Sequence, residues 1–298
     1  MDGDLATELR LSICQYLSGE KATLQNLSLV SRNWLAPAQA CMFEKIGACV
    51  LFPSKDDNTH SPAGLSRFFR SSPHLATYVR EVQIVGAYSL ITCGFGALYP
   101  LLNVEDIFEV VSVIPNLHIL TIRTCEVNAG PSKGLIDPTK RCLSVRDLSL
   151  LRIGVNDFSL WLLLDRFNVV NLYVDGTTIY GSKDTIKLSP SYSVATRTLD
   201  LSAVEYYQSH PTPLSADVIL SVPDSLKNFG ISCNLKEAKE VETICVFLET
   251  SVPNLEHLCL DYTGIATEKI ARRWRKSVKI PKEGTSFYVL VVYSMLTI

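Results

Sequence analysis

One spaced pattern, apolar-x-x-apolar-x-apolar, returns along most of this chain and restricts its fold more than any other feature. Copies stand at Val79/Val82/Ile84, Leu117/Leu120/Ile122, Val145/Leu148/Leu150 and Val169/Leu172/Val174, then at Leu226/Phe229/Ile231 and Leu255/Leu258/Leu260. Thr196/Leu199/Leu201 is a weaker copy, because a threonine leads it. Residues two apart on an extended strand point to the same side. Leu120 and Ile122, Leu148 and Leu150, Leu172 and Val174, and Leu258 and Leu260 therefore enter a core, while the residue between them faces water. Three copies share a lead-in: Ile114-Pro115-Asn116-Leu117, Val222-Pro223-Asp224-Ser225-Leu226 and Val252-Pro253-Asn254-Leu255. Each strand then needs a return segment. Residues 105–114, 215–222 and 237–250 carry the one-sided apolar spacing of return helices. Residues 157–167 are apolar nearly all round, as a buried return would be.

After a first interval of 38 residues the copies begin 24 to 30 residues apart. That is close to the leucine-rich-repeat period of about 20–29 residues. Stacked strand-plus-helix units of this kind build an irregular solenoid with a curved parallel sheet. A doubly wound α/β domain shares the strand–helix alternation, but no glycine-rich phosphate loop follows any strand here. Apolar residues make up 47% of the 298 positions and charged residues 19%, which argues for a buried core and against disorder. The net charge of −2 offers nucleic acid no general attraction. Nine cysteines, an odd number without C-x-x-C spacing, indicate neither a zinc site nor a disulfide framework; they read as small hydrophobes in a reducing compartment. Residues 82–104 are uncharged, but their glycines and proline favour a strand followed by a loop over a membrane span. An acidic start without a signal peptide points to the cytoplasm or nucleus, with no membrane expected.

The first forty-six residues differ in kind. Leu5, Leu9, Ile13 and Leu17, then Leu24, Leu27, Val30 and Trp34, recur at helical spacing, with breaks at Ser18-Gly19 and near Ser31. A unit this small buries little apolar surface, so its outer residues need another surface. The pattern L-x-x-E-L-x-x-x-I-x-x-Y-L followed by L-x-x-L-S-L-V-S-R-x-W resembles the F-box, a three-helix segment that docks on the Skp-type adaptor of SCF ubiquitin ligases. Ala6 stands where F-boxes usually have a proline that opens the first helix. The order L-S-L-V-S-R-x-W, S-P-H-L-A-x-Y-V-R, P-N-L-x-x-L (residues 27–34, 72–80, and 115–120 or 253–258) is similar to that of large fungal F-box families. The resemblance implies that Leu5, Leu9, Ile13, Leu17, Leu24, Leu27, Val30 and Trp34 divide between the core of the unit and an adaptor contact.

The expected organisation is an F-box-like helical domain at 1–46, a connecting segment at 47–75 and a leucine-rich-repeat-like domain at 76–298. The connecting segment holds an opening strand near 46–52, a polar loop at 53–62 and a helix near 63–71. No catalytic constellation is legible: the five histidines are scattered, and no metal set, nucleophile elbow or phosphate loop is present. His257, Cys259 and Asp261 share one side of a strand, which cannot by itself bring three groups together. The basic run at 272–282 reads as a solvated helix face, with a nuclear-import signal or phosphate-contacting patch as the alternative. The 287–293 run is one more buried strand or part of a terminal cap. No cofactor is expected. The function implied is a substrate receptor of an SCF-type cullin-RING ligase, tethering a target protein; a scaffold or binding protein outside ubiquitin transfer is the alternative. On the water-facing strand positions, Glu81, Asp147, Asp175, Asp200 and Asp261 are expected to form an acidic band that binds a basic or polar target segment, with Tyr173 as anchor.

Overall fold

A computed structural model describes residues 5–51, 61–86, 99–129 and 143–175, and beyond them the strands at 178–180, 198–202, 205–207, 228–233, 257–262 and 286–291 as backbone only. The fold is mixed α/β with parallel sheets. Three helices come first: α1 (Thr7–Tyr16), α2 (Lys21–Val30) and α3 (Arg32–Phe43). Ser31, in extended backbone at φ −157°, separates α2 from α3. Their small core consists of Cys14, Leu24, Ala38 and Cys41, with Leu17, Leu27, Trp34 and Met42 packed around it. Pro37 lies inside α3 and cannot donate to the carbonyl four residues back, Asn33. Arg10, buried on α1, donates its Nη1 to that carbonyl at 3.4 Å. A lost helical bond thereby becomes a tie between the first and third helices.

The chain passes from α3 into β1 (Lys45–Val50) with one residue between them. Nine strands form one parallel sheet in the order β1, β2 (Glu81–Gly86), β4 (Ile119–Arg123), β6 (Leu143–Leu151), β8 (Phe167–Asp175), β10 (Thr198–Ser202), β12 (Asn228–Cys233), β13 (His257–Tyr262) and β14 (Ser286–Val291). Each strand neighbours the next in chain order, so this sheet contains no reversal of the kind that makes a binding crevice in doubly wound domains. The expected register is realised. Val82, Leu120, Leu148, Leu172, Leu199, Phe229, Leu258 and Phe287 occupy one row across the sheet. Ile84, Ile122, Leu150, Val174, Leu201, Ile231, Leu260 and Val289 occupy the next. From Val82 to Val174 both rows are buried in one continuous core. The weak 196–201 copy supplies β10, and the 287–293 run contributes its first five residues to β14.

Residues 47–75 also contribute to this body. β1 is the edge strand of the large sheet, and helix α4 (Pro62–Ser71) puts Phe69 into the core. Ser61 caps α4 by accepting from the Gly64 amide at 3.0 Å, and Pro62 begins the helix. A short helix, α5 (Pro73–Ala76), leads into β2. Phe43 of α3 stacks on Phe68 of α4, with ring centroids 6.3 Å apart, and the Glu44 carbonyl accepts from the Arg80 and Glu81 amides. The helical unit is thus joined to the sheet by contacts as well as by the chain.

A second parallel sheet was not expected from the sequence. Its strands are three residues long: β3 (Leu101–Asn103), β5 (Glu126–Asn128), β7 (Gly154–Asn156), β9 (Thr178–Tyr180) and β11 (Glu205–Tyr207), ordered β11-β9-β7-β5-β3. Each follows a long strand after a tight turn, or precedes a return helix. Asn103 and Asn156 end their strands and start α6 (Val104–Ser112) and α7 (Asp157–Arg166). The Asn156 side chain accepts from the Ser159 amide at 2.7 Å. The turns require left-handed backbone: Thr124 has φ 55° and Arg152 φ 52°. The chain has Gly176 at the corresponding place after Asp175. Left-handed backbone costs a non-glycine residue about 1–2 kcal/mol, partly offset by the greater freedom of unfolded glycine. Arg152→Gly is therefore expected to stabilise the protein by about 0.5–1 kcal/mol, read as a raised urea midpoint.

Candidate functional site

Two surfaces can carry recognition. The first lies on the helical unit. Leu5 lies just ahead of α1, and Leu9 and Ile13, four residues apart, share one side of that helix. They are 44%, 54% and 40% exposed, while Arg10 and Cys14 of the same helix face the core. Tyr16 falls on the same stripe and is exposed, as are Leu29 and Val30 at the end of α2. Large apolar side chains held out in water on so small a unit mark an interaction surface. The residues singled out from the sequence therefore separate into two groups. Leu5, Leu9, Ile13 and Val30 are outside. Leu24 is fully buried and cannot touch a partner, and Leu17, Leu27 and Trp34 pack against the same small core.

The second surface is the face of the large sheet opposite the core. Three rows cross it. Glu81, Ile119, Asp147, Asn171, Thr198, Asn228 and His257 are in register; so are Gln83, Thr121, Ser149, Tyr173, Asp200, Gly230 and Cys259; so are Val85, Arg123, Leu151, Asp175, Ser202, Ser232 and Asp261. The acids of the expected band are spread over these three rows. Asp147 is in the first row, Asp200 in the second, and Asp175 and Asp261 in the third, so no two of them are opposite each other. Asp175 and Asp261 share a row with two strands between them, Glu81 and Asp147 share another with one strand between them, and in-register pairing preserves these offsets.

Local pairing weakens the expected acidity further. The Asp147 carboxylate accepts from Arg146 Nε at 2.8 Å and from Asn171 Nδ2 at 2.5 Å. Glu81 is bridged to Lys45 of β1. Tyr173 is half-buried between Ser149 and Asp200 in the register. Arg123, at the end of β4, is exposed, and so is Arg152, in the turn after β6. The strand alternation puts Arg123 on this face as its one arginine, whereas nothing in the sequence singles out Arg152. The left-handed turn that turns Arg152 outward has no periodic signature.

Among the described residues no three His, Cys, Asp or Glu side chains group as a metal site would require. Burial pushes the Cys125 thiol up from its ordinary 9.0 to about 12, which keeps it protonated and inert at neutral pH. His257, Cys259 and Asp261 occupy alternate positions of β13, opposite Asn228, Gly230 and Ser232 on one side and Ser286, Tyr288 and Leu290 on the other. The basic run at 272–282 lies outside the described residues. Among the described helices none is long and apolar enough to cross a membrane. No protein-family model matches the chain, and a search of curated proteins finds no similar sequence.

Proposed function

We propose that this chain is the substrate-recognition subunit of an SCF-type cullin-RING ubiquitin ligase. The helical unit is read as an F-box that holds a Skp-type adaptor, and the strand–helix repeats as a leucine-rich-repeat solenoid that holds the target. The observation that carries the reading is the exposure of Leu9 and Ile13 on one side of α1, with Leu5 exposed just ahead of it, on a three-helix unit whose own small core is made by other residues. The consecutive, unreversed strand order supports the solenoid half of the reading. In this role the chain makes and breaks no bonds. It raises the effective concentration of target lysines near a ubiquitin-loaded enzyme. The stack of Phe43 on Phe68 and the bonds to the Glu44 carbonyl limit the swing of one docking surface relative to the other.

The double change Leu9→Ala/Ile13→Ala tests the adaptor surface. Both side chains are already exposed, so the unit should fold as before, with an unchanged urea midpoint. Loss of two apolar anchors at about 1–2 kcal/mol each predicts adaptor capture at least tenfold weaker. Undiminished capture of the adaptor in a pull-down removes this assignment. Polyubiquitination of a bound protein in the reconstituted complex separates a ligase receptor from a scaffold that uses the same adaptor contact.

A further inference from the structure

We infer that the carboxyl-terminal edge of the large sheet, around Arg123 and Arg152, is a docking surface for an acidic segment of the target protein. The inference rests on reading the repeats as the target-binding half of the chain. It reverses the sign of charge that the sequence alone suggested for the partner.

On this face of the large sheet the acids and the cations are paired unevenly. Three carboxylates belong to this face between β2 and β8. Glu81 is bridged to Lys45. Asp147 is held by Arg146 and Asn171. Asp175 also has an interaction of its own. The cations are distributed differently. Lys45 and Arg146 are spent on those carboxylates. Arg123 and Arg152 are exposed, and among the described residues neither side chain has a hydrogen-bond or ion-pair partner.

The two arginines are neighbours. Arg123 is in register with Leu151, so Arg152 is one residue further along the adjacent strand. Adjacent strands lie about 4.8 Å apart, which places both guanidinium groups within reach of one short acidic segment. Val85 and Leu151, half-buried in the same row on either side of Arg123, offer apolar contact to such a segment. The guanidinium fork suits carboxylates, which it can bind through two parallel hydrogen bonds. Arg152 also holds a left-handed turn that glycine would adopt more readily. A charged side chain is thus presented at a conformational cost, as happens at functional positions.

The test uses the full-length protein and two fluorescent peptides of equal length, one rich in glutamate and one rich in lysine, together with a single-stranded oligonucleotide. At low ionic strength the glutamate peptide should bind more tightly than the lysine peptide or the oligonucleotide. Arg123→Glu/Arg152→Gly should weaken it about tenfold, and Arg152→Gly alone about threefold. Because Arg152→Gly is expected to raise stability, its loss of binding cannot be assigned to unfolding. Preference for the lysine peptide or the oligonucleotide overturns the proposal. So does glutamate-peptide binding that survives the double variant. Adaptor capture measured on the same preparations keeps the two readings apart: it tests the ligase assignment, and the arginine variants should leave it unchanged.

Discussion

Leu148→Ala is expected to destabilise the protein by about 3–4 kcal/mol, within the range measured for fully buried leucines. Leu148 is completely buried near the middle of the described core, with Leu120 and Leu172 beside it in the register. Those neighbours belong to strands fixed on both sides by ladder hydrogen bonds, so the cavity cannot collapse easily. Total stabilities of natural domains are about 5–15 kcal/mol, which makes this a large fraction. Ser149→Ala on the same strand, but on the opposite face, should stay within about 0.5 kcal/mol. Urea midpoints of the two variants provide the comparison. A Leu148→Ala loss no larger than that of Ser149→Ala would overturn the assignment of the inward and outward rows.

Gly86→Ala is expected to cost about 3 kcal/mol or more, at the upper end of overpacking effects. A Cβ at Gly86 would come within 1.9 Å of the Thr124 carbonyl oxygen and 2.7 Å of Pro100 Cγ. The first contact is with backbone, so no rotamer change relieves it. Thr124 is itself fixed at φ 55°, and its hydroxyl donates to the Gly86 carbonyl at 2.8 Å. Relaxation would have to move the turn that joins β4 to β5. A lowered thermal midpoint is the expected readout. A variant as stable as the parent would show that the turn between β4 and β5 is not packed against Gly86.

Much of the architecture was legible because its signals are periodic and repeated. The paired apolar positions located every long strand from β2 to β13, including the weak copy led by Thr196. The return helices near 105–114 and 157–167 correspond to α6 and α7, since a one-sided or wholly apolar run of that length has few other ways to hide from water. The helix near 63–71 corresponds to α4, where Ser61 and Pro62 supply a start signal. The short second sheet was missed. Its strands Leu101–Asn103, Glu126–Asn128 and Gly154–Asn156 each bury one central residue, Leu102, Val127 or Val155, and three residues are too few for an alternation to register. The repeated apolar-Asn step in them was the available signal.

The candidate surfaces divide along a similar line. The helical spacing of Leu5, Leu9 and Ile13 followed from the sequence, but their exposure did not. An amphipathic pattern identifies an apolar side without saying whether a neighbouring helix covers it. The pairing of Arg10 with the carbonyl that Pro37 leaves open joins residues far apart in the chain, and no local pattern contains it. Counting acids along separate strands likewise does not tell which of them meet a cation, as Glu81 and Asp147 do.

By itself, the sequence determined the alternation of strands and helices, the inward rows and the separate character of the first forty-six residues. These are set by local spacing, which the backbone geometry of strand and helix converts directly into sidedness. Only the tertiary structure decided which apolar residues remain in water, which carboxylates meet a cation and which arginines lack a partner among the described residues. Those properties depend on what the fold brings within a few ångströms of each side chain.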